Sequence, residues 1–132
     1  TVVTSGTVFL LYGNVSNIIS LKLSSGKFAT DFRGTGGNSV NAASTASITA
    51  NQWTHIAFVR SGTTTYMFIN GNLDRTQTSQ GFNLAEVQAG FFQQPRLGAA
   101  MNPDGQYFNG YISDFRFVKG TAVYTSANCS AN

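Results

Sequence analysis

A length of 132 residues permits one domain with a real core, and eleven Phe, five Tyr and one Trp supply much of its apolar area. Charged residues are only 10% of the chain, and the net charge of +3 comes from eight scattered Lys and Arg against five acids. No basic stripe follows a phosphate backbone and no apolar run has the length of a membrane-spanning helix, which speaks against nucleic acid and against membrane insertion.

Fourteen Gly and only two Pro among many Ser, Thr and Asn favour short strands joined by tight turns. Thr1 to Tyr12 reads as two strand pieces broken at Ser5-Gly6. In the run that follows, Ile19, Leu21 and Leu23 alternate with Ser20 and Lys22, a half-buried strand. Ser24-Ser25-Gly26 is a turn, and Phe28, Thr30 and Phe32 alternate in the next strand. Residues 34–47 form a loop or a weak edge strand. The stretch from Trp53 to Leu73, WTHIAFVRSGTTTYMFINGNL, is the organising hairpin. Its first strand, Trp53 to Arg60, is apolar on both faces and is expected in the middle of a layered structure. Thr65 to Ile69 is its partner, and Asn70-Gly71 suits a two-residue type I′ turn, because both residues tolerate positive φ. Leu73 to Thr78 returns. Residues 79–95 show no clear period, Arg96 to Ala99 is a short strand, and Met101 to Gln106 is a turn-rich loop.

Tyr107 to Tyr124, YFNGYISDFRFVKGTAVY, is expected to hold a last strand, bulged or buried on both faces. Asp114 and Arg116 share one face of it, as an ion pair or part of a network with Arg60. The prediction is one all-β domain over 1–132, a sandwich of two antiparallel sheets, with Trp53, Ile56, Phe58, Phe68, Ile69, Ile112 and Phe115 mostly buried. Cys129 has no second cysteine to pair with and reads as a free thiol in a tail. The start lacks both an initiator Met and a signal peptide, so the chain is expected to belong to a longer polypeptide.

Three pieces, WTHIAFVR at 53–60, YMFINGNL at 66–73 and FNGYISDFRFVKGTAVYT at 108–125, together resemble the laminin-G-like branch of the concanavalin A-like lectin/glucanase jelly rolls. The resemblance spans roughly residues 48–125 and implies a jelly-roll β-sandwich. The wording VKGTAVYT is similar to modules in tail and capsid-surface proteins of bacteriophages. The opening apolar strand of the family has no match here. An unpaired sheet edge is therefore expected near Thr1 to Leu23, covered by upstream residues or a neighbouring subunit.

Glycoside hydrolysis needs two carboxyl groups flanking the bond. Asp31, Asp74, Glu86, Asp104 and Asp114 form no close alternating pair, so no catalytic residues are assigned and an enzyme is not expected. His55, the sole histidine, reads as a satisfied core residue. Asn102, Asp104 and Asp31 offer oxygens for the rim calcium that the resemblance implies. A plain turn at Pro103-Asp104-Gly105 is the favoured reading, and no cofactor is assigned. Tyr12, Tyr66, Tyr107 and Tyr111 are the candidates for stacking on sugar rings. Asn14 and Asn128 match the glycosylation pattern, which matters only in a eukaryotic secretory setting. The expected function is a non-catalytic structural, decorating or adhesion module of a bacteriophage virion surface. It would contact virion proteins, copies of itself, or a cell-surface glycan. The alternative is a carbohydrate-binding, lectin-like module of a secreted or cell-surface bacterial protein.

Overall fold

The computed structural model describes residues 5–14, 17–34, 39–78, 93–100 and 106–125. Eight strands are present there: β1 (Ser5–Asn14), β2 (Asn17–Ser24), β3 (Lys27–Arg33), β4 (Ser39–Ser47), β5 (Ile56–Ser61), β6 (Thr64–Ile69), β7 (Asn72–Gln77) and β8 (Gln93–Leu97). They form two antiparallel sheets, a five-stranded one ordered β4-β3-β2-β1-β8 and a three-stranded one ordered β5-β6-β7. The all-β sandwich expected from the sequence is the fold.

Alternation sets the layers. Ile19, Leu21 and Leu23 of β2 pair with Phe32, Thr30 and Phe28 of β3, so these side chains share one face. That face meets Ile56, Phe58, Met67 and Ile69 of the smaller sheet, with Phe9, Val40 and Ala42 completing the core. Phe32 and Phe58 stack across it, ring centroids 4.3 Å apart. The sheets are also joined at one margin. Asp74 on β7 accepts hydrogen bonds from the Thr45 and Ala46 amides of β4, at 2.7 and 2.8 Å. At the register shift between β3 and β4, the Ser44 hydroxyl accepts from the Phe28 amide and donates to the Ala46 carbonyl. A side chain there serves where the ladder is interrupted.

The Asn70-Gly71 turn is as expected: φ is 50° at Asn70 and 79° at Gly71, with Ile69 facing Asn72. Asn70 also closes the foot of β5, where its amide donates to the His55 carbonyl and its side-chain oxygen accepts from the His55 amide.

Several expectations are corrected. Ser5 and Gly6 lie within β1, which has register shifts after Thr7 and after Tyr12; the first of the two expected strand pieces, residues 1–4, lies outside the described residues. Of the two readings of residues 34–47, the edge strand holds rather than the loop: β4 lies at the edge of the five-stranded sheet. β5 starts at Ile56, not Trp53, because the ladder is capped at His55 by Asn70. Trp53 lies outside it at 73% exposure, and His55 is exposed rather than a core residue. Within the hairpin, β6 rather than β5 is central: it is covered on both faces, and β5 is an edge among the described strands. Phe68 and Ile69 are buried as expected, whereas Ile56 and Phe58 are only half-buried. Among the described residues of the Thr1 to Leu23 region, from Ser5 on, the expected open edge is not seen, since β1 pairs with both β2 and β8. Residues 108–125 contain no strand, and Ile112 and Phe115 are exposed. Ion pairing of Asp114 or Arg116 is absent among the described residues, where Arg33 and Asp31 form the ion pair instead.

Candidate interaction surface

The smaller sheet covers the larger one from its β4 side, where β7 meets β4. Over β1, at the other side, lies the segment 106–118. Its start is firmly docked. The Thr7 amide donates to the Gln106 carbonyl at 3.2 Å, and the Phe108 amide donates to the Gly98 carbonyl at 2.9 Å. Gly6 makes this approach feasible, for a Cβ there would stand 2.8 Å from the Phe108 Cα and from the Tyr107 carbonyl oxygen. The Phe108 ring packs against the main core.

Beyond Phe108 the attachment is through side chains. The Phe115 and Phe117 rings tilt onto Phe9 of β1, with centroids at 5.0 and 5.9 Å. Further on, Ala122 and Tyr124 pack on the outer face of β5 and β6, against Val59 and Phe68. The segment thus passes from one layer to the other beside the edge strand β5. Among the described residues, no backbone group of 109–125 bonds to another backbone group.

The result is an apolar, solvent-facing stripe. Tyr111 is 88% exposed, Tyr107 69% and Phe117 57%, with Phe115, Ile112 and Val118 partly open beside them. Large apolar side chains gathered on one surface segment make this stretch the candidate contact surface. Of the four candidate tyrosines, Tyr107 and Tyr111 share this stripe. Tyr66 is half-buried and packs beside Phe68, ring centroids 6.5 Å apart. For Tyr12 the structure describes the strand backbone alone. Phe117 and Val118 were not among the contact candidates read from the sequence, although the broken alternation of Ile112, Phe115 and Phe117 is the signal that this stretch fits no half-buried strand.

The described carboxylates are each engaged separately. Asp31 receives both Arg33 Nε and Nη2, at 2.9 and 2.7 Å, which occupies the oxygens considered for calcium. Asp74 holds the β4 amides, and Asp114 accepts from the Ser113 hydroxyl. No group of three His, Cys, Asp or Glu converges among the described residues. Glu86, Asn102, Asp104, Asn128 and Cys129 lie outside the described residues, as does the side chain of Asn14.

The Laminin_G_3 family model, described as Concanavalin A-like lectin/glucanases superfamily, matches residues 1–123. The chain belongs to this superfamily. Its laminin-G-like motifs fall on β5, on the β6–β7 hairpin and on the exposed stripe. A crystal structure of an S-layer domain-containing protein (residues 221–444) from Clostridium thermocellum ATCC 27405 is similar in fold, with a TM-score of 0.50 and 21% sequence identity. The match covers 92% of this laminin-G-like chain and 60% of that one. No curated protein matches in sequence.

Proposed function

We propose that this laminin-G-like domain is a non-catalytic contact module displayed on the exterior of a bacteriophage virion, holding a protein or glycan surface through its aromatic stripe. The observation that carries the reading is the exposure of Tyr107 and Tyr111 on a segment whose neighbours, Phe115 and Phe117, anchor it to the core. Tyrosine rings offer large contact area for few rotatable bonds. The separate engagement of Asp31, Asp74 and Asp114 supports a role without hydrolysis, which requires two carboxyl groups across one bond. The reading needs no cofactor. The phage setting rests on the likeness of VKGTAVYT to virion modules. A second reading, a lectin-like module of a secreted or cell-surface bacterial protein, is favoured by the S-layer protein of similar fold.

Binding of the purified chain to intact bacterial cells and to immobilised polysaccharide, compared with a Tyr107→Ser/Tyr111→Ser double variant, tests the proposal. At least a tenfold loss of binding with an unchanged melting temperature is expected. Release of reducing ends from the polysaccharide, abolished by Asp114→Asn, would overturn the non-catalytic role. Undiminished binding by the double variant would overturn the role of the stripe.

A further inference from the structure

We propose that two copies of this chain associate through residues 110–120, paired antiparallel about Phe115. The inference rests on the reading of the stripe as a contact surface and names a second copy as its partner.

The backbone comes first. Residues 109–125 are exposed or half-buried, and none bonds to another backbone group among the described residues. An apolar segment with free N–H and C=O groups is a template for strand pairing. Side chains then select the partner and the register. With Phe115 opposite its own copy, Asp114 faces Arg116 of the second molecule, and by symmetry this happens twice. Ile112 faces Val118 in the same way. Gly110 and Gly120 mark the two ends. Centring the pair on Asp114 would set carboxylate against carboxylate, and centring it on Arg116 would set guanidinium against guanidinium. Opposite charges across a strand pair stabilise it and like charges oppose it, so a single symmetric register near this point is favoured. Such a contact is isologous and closes as a dimer.

The area is of the right order. At roughly 150–250 Å² for a whole aromatic side chain, the exposed parts of Tyr111, Phe115 and Phe117 amount to roughly 300–450 Å² per copy. A stable interface takes about 800 Å² per partner, and the paired backbone with Ile112 and Val118 supplies the remainder. One adjustment is required. Asp114 has φ 52° and turns to an extended conformation on pairing, leaving a region that non-glycine residues rarely occupy.

Sedimentation of the purified 132-residue chain over a concentration series, with charge variants, provides the test. The chain should be dimeric at high concentration. Asp114→Arg alone and Arg116→Asp alone should each weaken association at least tenfold, since each sets like charges opposite one another. The double exchange Asp114→Arg/Arg116→Asp should restore it, and so should a 1:1 mixture of the two single variants, as a heterodimer. Circular dichroism confirms that each variant is folded. A chain monomeric at all concentrations would overturn the proposal, as would a dimer indifferent to the single variants. So would a monomeric longer polypeptide in which another segment protects the 110–120 amides from exchange. Undiminished cell or glycan binding by Asp114→Arg, which keeps the tyrosines but no longer dimerises, would separate this inference from the function above.

Discussion

Trp53 and Phe28 show how residue type and residue energetics part company. Both are large aromatics in strand-like stretches, yet Phe28 is fully buried between the sheets and Trp53 stands in solvent. Phe28→Ala should destabilise the domain by about 3–5 kcal/mol, while Trp53→Ala should stay within about 0.5 kcal/mol, both read from urea unfolding. Thr65 is a different case. Its hydroxyl is buried on β6 without a hydrogen-bond partner, in a small crevice lined by Ala42, Phe58 and Met67. A buried hydroxyl left without a partner costs about 1–3 kcal/mol, so Thr65→Val, which keeps the shape, should leave stability unchanged or raise it by about 1 kcal/mol.

At the scale of elements, the β6–β7 turn carries the clearest requirement. Gly71 sits at φ 79° and Asn70 at 50°, and the same asparagine bonds both backbone groups of His55. A β-branched residue at Gly71 would be forced into a left-handed conformation that costs about 1–2 kcal/mol. Gly71→Val should therefore lower the melting temperature and loosen the foot of β5. Faster hydrogen exchange at the Asn70 amide checks this, since that amide bonds to His55. Unchanged exchange would show that the turn does not hold β5.

For the whole molecule, stability is uneven. The two sheets are bonded throughout, whereas 109–125 is attached chiefly by the Phe115, Phe117 and Tyr124 rings. Segments with few backbone bonds open at low free energy. Limited trypsin digestion at dilution should cut first after Arg116 and Lys119, before Lys22 and Lys27 in their strands. Mass spectrometry of the early fragments reads the order. First cleavage at Lys22 or Lys27 would mean that the segment is held more firmly than its contacts imply.

Local chemistry alone determined much of this protein. Alternation in β2 and β3, the Asn70-Gly71 pair and the scarcity of charge and proline led to an antiparallel sandwich, because side-chain period and turn dihedrals are properties of a few adjacent residues. Tyr107 and Tyr111 are two of four tyrosines considered for stacking, a choice made on residue type alone. Tertiary structure decided which apolar residues are inside. Trp53 is excluded by the cap that Asn70 places on β5, fifteen residues away. Phe117 is exposed although its ring touches Phe9, and among the described residues no strand pairs beyond β5 to cover it. Burial is a property of what lies opposite, and pairings distant in sequence set that, not the composition of the strand itself.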